Sequence, residues 1–229
     1  MKILILTNDF NCKVVTELKK NKLLDVSTSY DFKDITSDYD MVFAHNYDKI
    51  ISEKYFSIPK LGIFVLHSTD LPKGRGWAPI YYSISNEEVS YTISLLKISQ
   101  KVDEGNIFIK LKIDKPMIIT NENLREIDED GILLVINKFI QLYKDGYITN
   151  KTEGLKQDNT KATYNEKRIP SDNMLDSKEI LEKSIYKILA TNSNYPSFIE
   201  LDGEKIYLSA KNDKYYFLKE LEYSIRVVV

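Results

Sequence analysis

Three residue types are nearly missing from this 229-residue chain, which has one cysteine, one tryptophan and two histidines. A lone Cys12 excludes an intramolecular disulfide and any Cys-rich metal site, and it fits a reducing, cytoplasmic setting. Two isolated histidines without Cys or carboxylates at ligand spacing do not build a zinc centre, so no metal is expected. A basic excess is missing too. Lys plus Arg number 32 against 34 Asp plus Glu, a formal net charge of −2. A protein that grips nucleic-acid phosphates usually carries a clear positive balance, so no nucleic-acid partner is expected. The opening "MKILILT" stops at Asn8 and Asp9, too short for a signal-peptide core or a membrane span, and no membrane partner is expected. G-x-G-x-x-G after the first strand, G-x-x-x-x-G-K-[ST] and G-x-S-x-G are all absent, which argues against a dinucleotide dehydrogenase, a P-loop enzyme and a serine hydrolase. No repeat of fixed period is present.

What remains is an apolar fraction of 43%, enough for a sizeable core in one large domain, or one domain with a small appendage. "KILILT", "LLDVSTSY", "YDMVFAHN" and "LGIFVLH" read as strands separated by helix-length or loop-length segments; the first is apolar almost throughout, as a buried parallel strand is. "VSYTISLLKIS" and "IFIKLKI" flank a loop with Gly105 and Asn106 and read as a hairpin. From Asn121 to about Lys144 the spacing of Leu124, Ile127, Leu134, Ile136, Phe139, Ile140 and Tyr143 predicts a helix that stops at Asp145-Gly146. Residues 149–168 are polar and read as an excursion or linker. "SKEILEKSIYKILA" reads as a short helix capped by Asp176 or Ser177, and the tail reads as three or four strands turning at Asp202-Gly203 and Asn212-Asp213. The expected fold class is α/β: a Rossmann-like, mostly parallel sheet with helices on both faces, spanning 1–150, then a linker and helix start over 151–180 and a small C-terminal helix plus β module over 181–229.

In such a sheet, ligands sit beyond the carboxyl ends of the strands. Asn8, Asp9, Phe10, Asn46, Tyr47, His67 and the loop at Asp103 lie there. His67 ends a buried strand and opens "HSTDLPKGRGWAP", where the chain's rare Trp, Gly and Pro residues crowd together. A neutral imidazole there either donates to an oxygen gaining charge and takes a proton, or is a satisfied structural histidine; a nearby Asp103 carboxylate fixes its tautomer. His45 is open to the same two readings. Arg75, between two glycines, is a phosphate or carboxylate clamp or a surface loop residue. Trp77 is a stacking platform or a core residue. The loop Asn8 to Asn11 precedes a helix N-terminus, which suits an anion, or is an ordinary capped turn.

"HSTDLPKGRGWAP" resembles the H-x-S-L-L-P-x-x-R-G-x-x-P signature of the folate-dependent formyltransferases. "VDEGNI" is similar to that family's Asp-x-G-x-I loop, "TYNEKRIPSDNMLD" to its Tyr…Arg-x-Pro-x-Asp segment, and "NYPSFIELDGEKIYL" to the Y-P-x-F-F…G…Y-x-L tail of its surface-polysaccharide sugar branch. The four matches run in order through most of the chain.

The resemblance implies formyl transfer from N10-formyltetrahydrofolate to the amine of a nucleotide-linked (dTDP- or UDP-) 4-amino sugar. His67 would donate to the oxyanion and Asp103 would help carry the amine's proton away. Folate would lie along Asn46, Tyr47, Ile51, Gln100, Val102, Asp103 and Gly105. The acceptor would meet Asn8, Asp9, Phe10, Asn11, Arg75 and Trp77. The family's second oxyanion donor, an Asn two residues before the histidine, is Val65 here, and Asn46 on the neighbouring strand end is the expected replacement. The alternatives are a methionyl-tRNA formyltransferase-like enzyme and a catalytically degenerate folate or nucleotide-sugar binding protein. The tail aromatics Tyr207, Tyr215, Tyr216, Phe217 and Tyr223 pack on their own sheet or form a homodimer face.

Overall fold

The computed structural model describes residues 1–176, 178–210, 218 and 221–228. β1 (Lys2–Leu6) is buried at four successive positions, because apolar layers cover it on both sides. α1 (Lys13–Lys20) buries Val14, Val15 and Leu18, and it ends on Lys19 and Lys20, charges that suit a helix C-terminus. β2 (Asp25–Ser29), β3 (Met41–Ala44) and β4 (Ile63–His67) follow. These four strands are parallel, in the order β4-β3-β1-β2.

A two-residue strand β5 (Arg75–Gly76) leads into α2 (Pro79–Ser85). The sequence reading places no helix there. Its signal is Pro79 at the first helical position, where a missing N–H costs nothing. β6 (Ser90–Lys97) and β7 (Ile107–Asp114) form the expected hairpin, and β6 runs antiparallel to β4. The sheet is therefore mixed, parallel through its first four strands. α3 (Asn121–Lys144) begins at Thr120, whose side chain accepts from the Asn123 N–H, and it stops before Asp145 and Gly146, the latter at φ +78°. Ile132 and Val135 lie deeper than the expected Leu134 and Tyr143, which are half-buried.

All four α-helices contribute to the core on one face of the sheet. There Phe139 of α3 meets Phe64 at 4.5 Å between ring centroids, and Phe64 meets Phe108 edge-on at 5.4 Å. The other face carries Leu4, Leu6, Val42 and Ile63, covered by Ile35, Ile51 and the segments around two 3-10 turns, Phe32–Asp34 and Glu53–Tyr55.

The polar segment after α3 is tied down rather than free. Leu155 and Ile107 exchange backbone hydrogen bonds at 2.8 and 2.9 Å, and β8 (Tyr164–Asn165) pairs with β5. Residues 155–165 thus form a strap across the loop that follows β4. α4 (Leu181–Ala190) starts after Ile180 with no side-chain cap; Asp176 instead holds the preceding turn through the Lys178 N–H, and Ser177 lies outside the described residues. β9 (Ser197–Leu201) and β10 (Glu204–Leu208) form a hairpin turned by Asp202 and Gly203, both at positive φ (52° and 81°), as a two-residue hairpin turn requires. β11 (Tyr223–Val227) leaves that hairpin and pairs antiparallel with β7, so the tail extends the main sheet, in the order β11-β7-β6-β4-β3-β1-β2. The Asn212-Asp213 turn and the aromatics Tyr215, Tyr216 and Phe217 lie outside the described residues. No helix among the described residues is long and apolar enough to cross a membrane.

Candidate active site

The carboxyl ends of β1, β3 and β4 open into a cleft of about 1290 Å³. Strand alternation divides it. Leu66 belongs to the core on the α3 side of β4, whereas Ile63 and Val65 pack on the other side. On the Val65 side the wall is Tyr47, Ile51, Leu96, Ile98 and the 98–103 loop. On the α3 side it is Leu66, Ser68, Ile80, Arg125, Asp128 and Ile132. His67, at the end of β4, and Asn46, two residues past the end of the paired neighbour β3, both line the cleft.

His67 is nearly enclosed. Its Nε2–H donates to the Gly74 carbonyl at 2.9 Å, and its Nδ1 lies 3.5 Å from Asp103 Oδ2. The two side chains are only 9% and 7% exposed. Asp103 is held in the left-handed region (φ 56°), and its Oδ2 accepts the Gly76 N–H at 2.9 Å. Gly76 itself has φ +96°, and a Cβ there would stand 2.6 Å from the Asn165 carbonyl oxygen of the strap. His67, Asp103 and the glycine loop therefore form one bonded unit.

The strap anchors that unit from behind. The Gln157 side-chain amide donates to the carbonyls of Asp103 (2.8 Å) and Gly105 (2.7 Å) and accepts from Arg75 Nη2 (2.8 Å). Arg75 also donates to Asn159 (2.7 Å) and to the Tyr164 hydroxyl (3.0 Å), and it lies 3.3 Å from the Glu104 carboxylate. It is 1% exposed and does not line the cleft. The expectation that Arg75 touches the acceptor is corrected: its guanidinium is spent on the strap and on Glu104. Arg75→Ala removes the guanidinium from the partly buried Glu104 carboxylate and leaves the side-chain amides of Gln157 and Asn159 each short of a donor, and it should cost about 3–5 kcal/mol of stability by chemical denaturation. Lysine lacks the fork and should not rescue it; a variant as stable as the parent would contradict this role.

Of the other expected residues, Asn8, Asp9, Tyr47, Ile51, Trp77, Gln100 and Val102 line the cleft. Trp77 is 44% exposed, with Lys167 Nζ 4.6 Å above its ring, so it is not core. Phe10, Asn11 and Gly105 do not line the cleft. Phe10 is exposed, and the Asn11 N–H is bound to Asp9 Oδ1 within the turn. Nor is the α1 N-terminus free for an anion: the Lys13 N–H donates to the Glu129 carboxylate of α3 at 3.0 Å. Gly105 is a spacing residue, since a Cβ there would fall 1.6 Å from the Lys97 carbonyl oxygen.

Sequence reasoning missed the α3-side wall. Asp128 sits on the buried stripe of α3, and burial pushes its carboxyl up to about 6 against the opposing hydrogen bonds of Ser68 and Tyr91. A lone acid among Leu124, Ile127 and Ile132 was the available signal. His45 is 2% exposed, and burial, then the Arg125 charge, pulls it down to about 4, so it is neutral at pH 7. Among the described residues no cluster of His, Cys, Asp and Glu is placed to hold a metal ion.

No family model matches the chain. Over 224 residues it is 32% identical to a methionyl-tRNA formyltransferase of Pelagibacter ubique, an alignment covering 95% of this chain and 64% of that protein. It is 30% identical over 187 residues to the methionyl-tRNA formyltransferase of Mycoplasmopsis pulmonis, with 79% and 61% covered. The chain thus spans about three fifths of the length of these curated relatives. Among solved structures, methionyl-tRNA formyltransferase from Clostridium thermocellum superposes with a TM-score of 0.73 at 23% identity, covering 100% of this chain and 99% of that one. A 4-N formyltransferase from Francisella tularensis gives 0.69 at 18% identity, covering 93% and 98%. HypX from Aquifex aeolicus, in complex with tetrahydrofolic acid, gives 0.73 at 16% identity, covering 92% of this chain and 37% of that one. The architecture is the Rossmann-like formyltransferase fold. The sequence likeness is to methionyl-tRNA formyltransferases.

Proposed function

We propose that this chain moves a formyl group from N10-formyltetrahydrofolate to the amine of a nucleotide-linked (dTDP- or UDP-) 4-amino sugar, for lipopolysaccharide, capsule or glycan assembly. The observation that carries the reading is the enclosed His67–Asp103 pair standing between two walls of one cleft. The Val65-side wall suits a pterin: it is apolar, and the main-chain groups of Gln100 and Val102 at its rim have no hydrogen-bond partner among the described residues. These are the donors and acceptors that a flat heterocycle edge needs.

In the reaction the amine nitrogen bonds to the formyl carbon, the bond from that carbon to N10 breaks, and one amine proton ends on the departing nitrogen. His67 Nε2–H, turned from the Gly74 carbonyl, would donate to the formyl oxygen as it gains charge. Asp103 would hold the ring and balance the proton in transit. Val65 supplies no donor. Asn46 would, because its side chain makes no hydrogen bond within the described residues and its backbone (φ 49°) is held at the strand end, where its carbonyl accepts the Asn8 N–H. Asn46→Ala should lower kcat about 10²–10³-fold with little change in folate KM. Asn46→Gly, which accepts the same φ, should match it; unchanged turnover in both would remove Asn46 from the role.

The sugar acceptor is favoured by the charge of −2, which offers tRNA no basic excess. The sequence likeness to methionyl-tRNA formyltransferases supports a second reading, formylation of methionyl-tRNA. Comparing kcat/KM on dTDP- and UDP-4-amino sugars with that on methionyl-tRNA separates the two, and formylation of the tRNA alone would reverse our choice. Exposed Tyr207 and Tyr223 keep a second copy of the chain as a candidate partner.

A further inference from the structure

Ser68 continues the chain past His67 and turns toward α3. Its hydroxyl donates to Asp128 Oδ1 at 2.5 Å, and the Tyr91 hydroxyl donates to the same oxygen at 3.0 Å. Both donors are spent on one oxygen. Oδ2 receives no hydrogen bond from the described residues, yet Asp128 lines the cleft. A carboxylate on the apolar stripe of a helix is costly to bury, and Oδ2, which is not sealed from the cleft, is the oxygen left for a ligand. Two more polar atoms on the same wall lack partners: His45 Nε2, in a residue 2% exposed, and Asn121 Oδ1, in a residue 4% exposed whose amide nitrogen is already used on the Ala190 carbonyl. Buried polar groups in a folded protein are nearly always paired, so the open Oδ2 of Asp128 on the cleft wall points to a ligand that donates there. Arg125 lies one turn before Asp128, is exposed, lines the cleft and makes no ion pair with the described residues. Arg168 stacks on Tyr81 at 3.3 Å on the strap side of the cleft.

We propose that the α3-side wall is the acceptor pocket, with Asp128 Oδ2 accepting a hydrogen bond from the acceptor's amine and Arg125 and Arg168 facing its diphosphate. This rests on the formyltransferase reading above and adds the residue that selects an amine. Asp128 is hydrogen-bonded to Ser68, the residue after His67, and all three line one cleft, so an amine held at Oδ2 shares that cleft with the formyl group carried on the Val65 side. The amine of an amino sugar supplies the donor that Asp128 Oδ2 lacks.

The test uses the full chain and equilibrium binding, so that it does not depend on turnover. Titration calorimetry compares a dTDP-4-amino sugar with dTDP-glucose, which has a hydroxyl at the same position, for the parent and for Asp128→Asn. The asparagine keeps an oxygen for Ser68 and Tyr91, and its melting temperature and folate affinity report whether the fold and the other wall are intact. The parent should prefer the amine at least about tenfold, the worth of one charge-assisted hydrogen bond, and the variant should lose that preference while binding dTDP-glucose and folate as before. Arg125→Ala should weaken both nucleotide sugars alike. A variant that keeps the amine preference overturns the proposal and leaves the formyl-transfer reading standing. Amine preference without any transfer activity in the parent overturns that reading and leaves the pocket assignment standing. A parent that binds neither sugar overturns the pocket assignment.

Discussion

His67→Ala should lower kcat about 10³–10⁴-fold, the combined loss of an oxyanion donor and of the group that handles the amine proton. Folate affinity should stay near that of the parent, because the Val65-side wall and the main chain of Gln100 and Val102 are untouched. Asp103 keeps its hydrogen bond from the Gly76 N–H, so the loop stays anchored. Only the Gly74 carbonyl loses its donor, a cost of about 1–3 kcal/mol that thermal melting will show separately from turnover. A variant that turns over at near the parent rate would mean that His67 is a structural histidine and that the chemistry lies elsewhere.

Gly105→Ala should cost about 3–5 kcal/mol of stability. A methyl group there meets the carbonyl oxygen of Lys97 at 1.6 Å and its carbon at 2.8 Å, and both are backbone atoms at the end of β6. Neither can yield without breaking the Lys97 N–H bond to the Asn106 carbonyl, so the 98–106 loop must move instead. That loop carries Asp103 and both carbonyls bound by Gln157, so formyl transfer should fall with stability. Chemical denaturation and turnover measured side by side check this. A loss below about 1 kcal/mol would show that the loop has slack the packing does not reveal.

Much of this architecture is legible from residue pattern alone. β1, β3 and β4 are continuous apolar runs, and α3 has both a helical stripe and an Asp-Gly stop. His67 and Asp103 stand out because unusual residues surround them and because both fall at strand ends. The strap was not legible. Gln157, Asn159, Thr163 and Tyr164 fall in a stretch that reads as an excursion or linker, and only the fold shows that their polar groups are spent on Arg75, Gly74 and the Asp103 loop. The same blindness made Arg75 look like a ligand clamp. Glu129 at the α1 N-terminus and Asp128 beneath Ser68 are contacts between residues far apart in the chain, which local periodicity does not encode. That the last tail strand, β11, joins the main sheet escaped for the same reason, since its partner β7 is far away in sequence.

The most direct test of the central claim is a transfer experiment with N10-formyltetrahydrofolate carrying an isotopic label on the formyl carbon, incubated with the chain and a dTDP- or UDP-4-amino sugar. The account predicts that the label appears as an N-formyl group on the sugar, with tetrahydrofolate released in equal amount, and that both are lost in His67→Ala. Label that stays on the folate with every amine offered, while the folate itself binds, would contradict it.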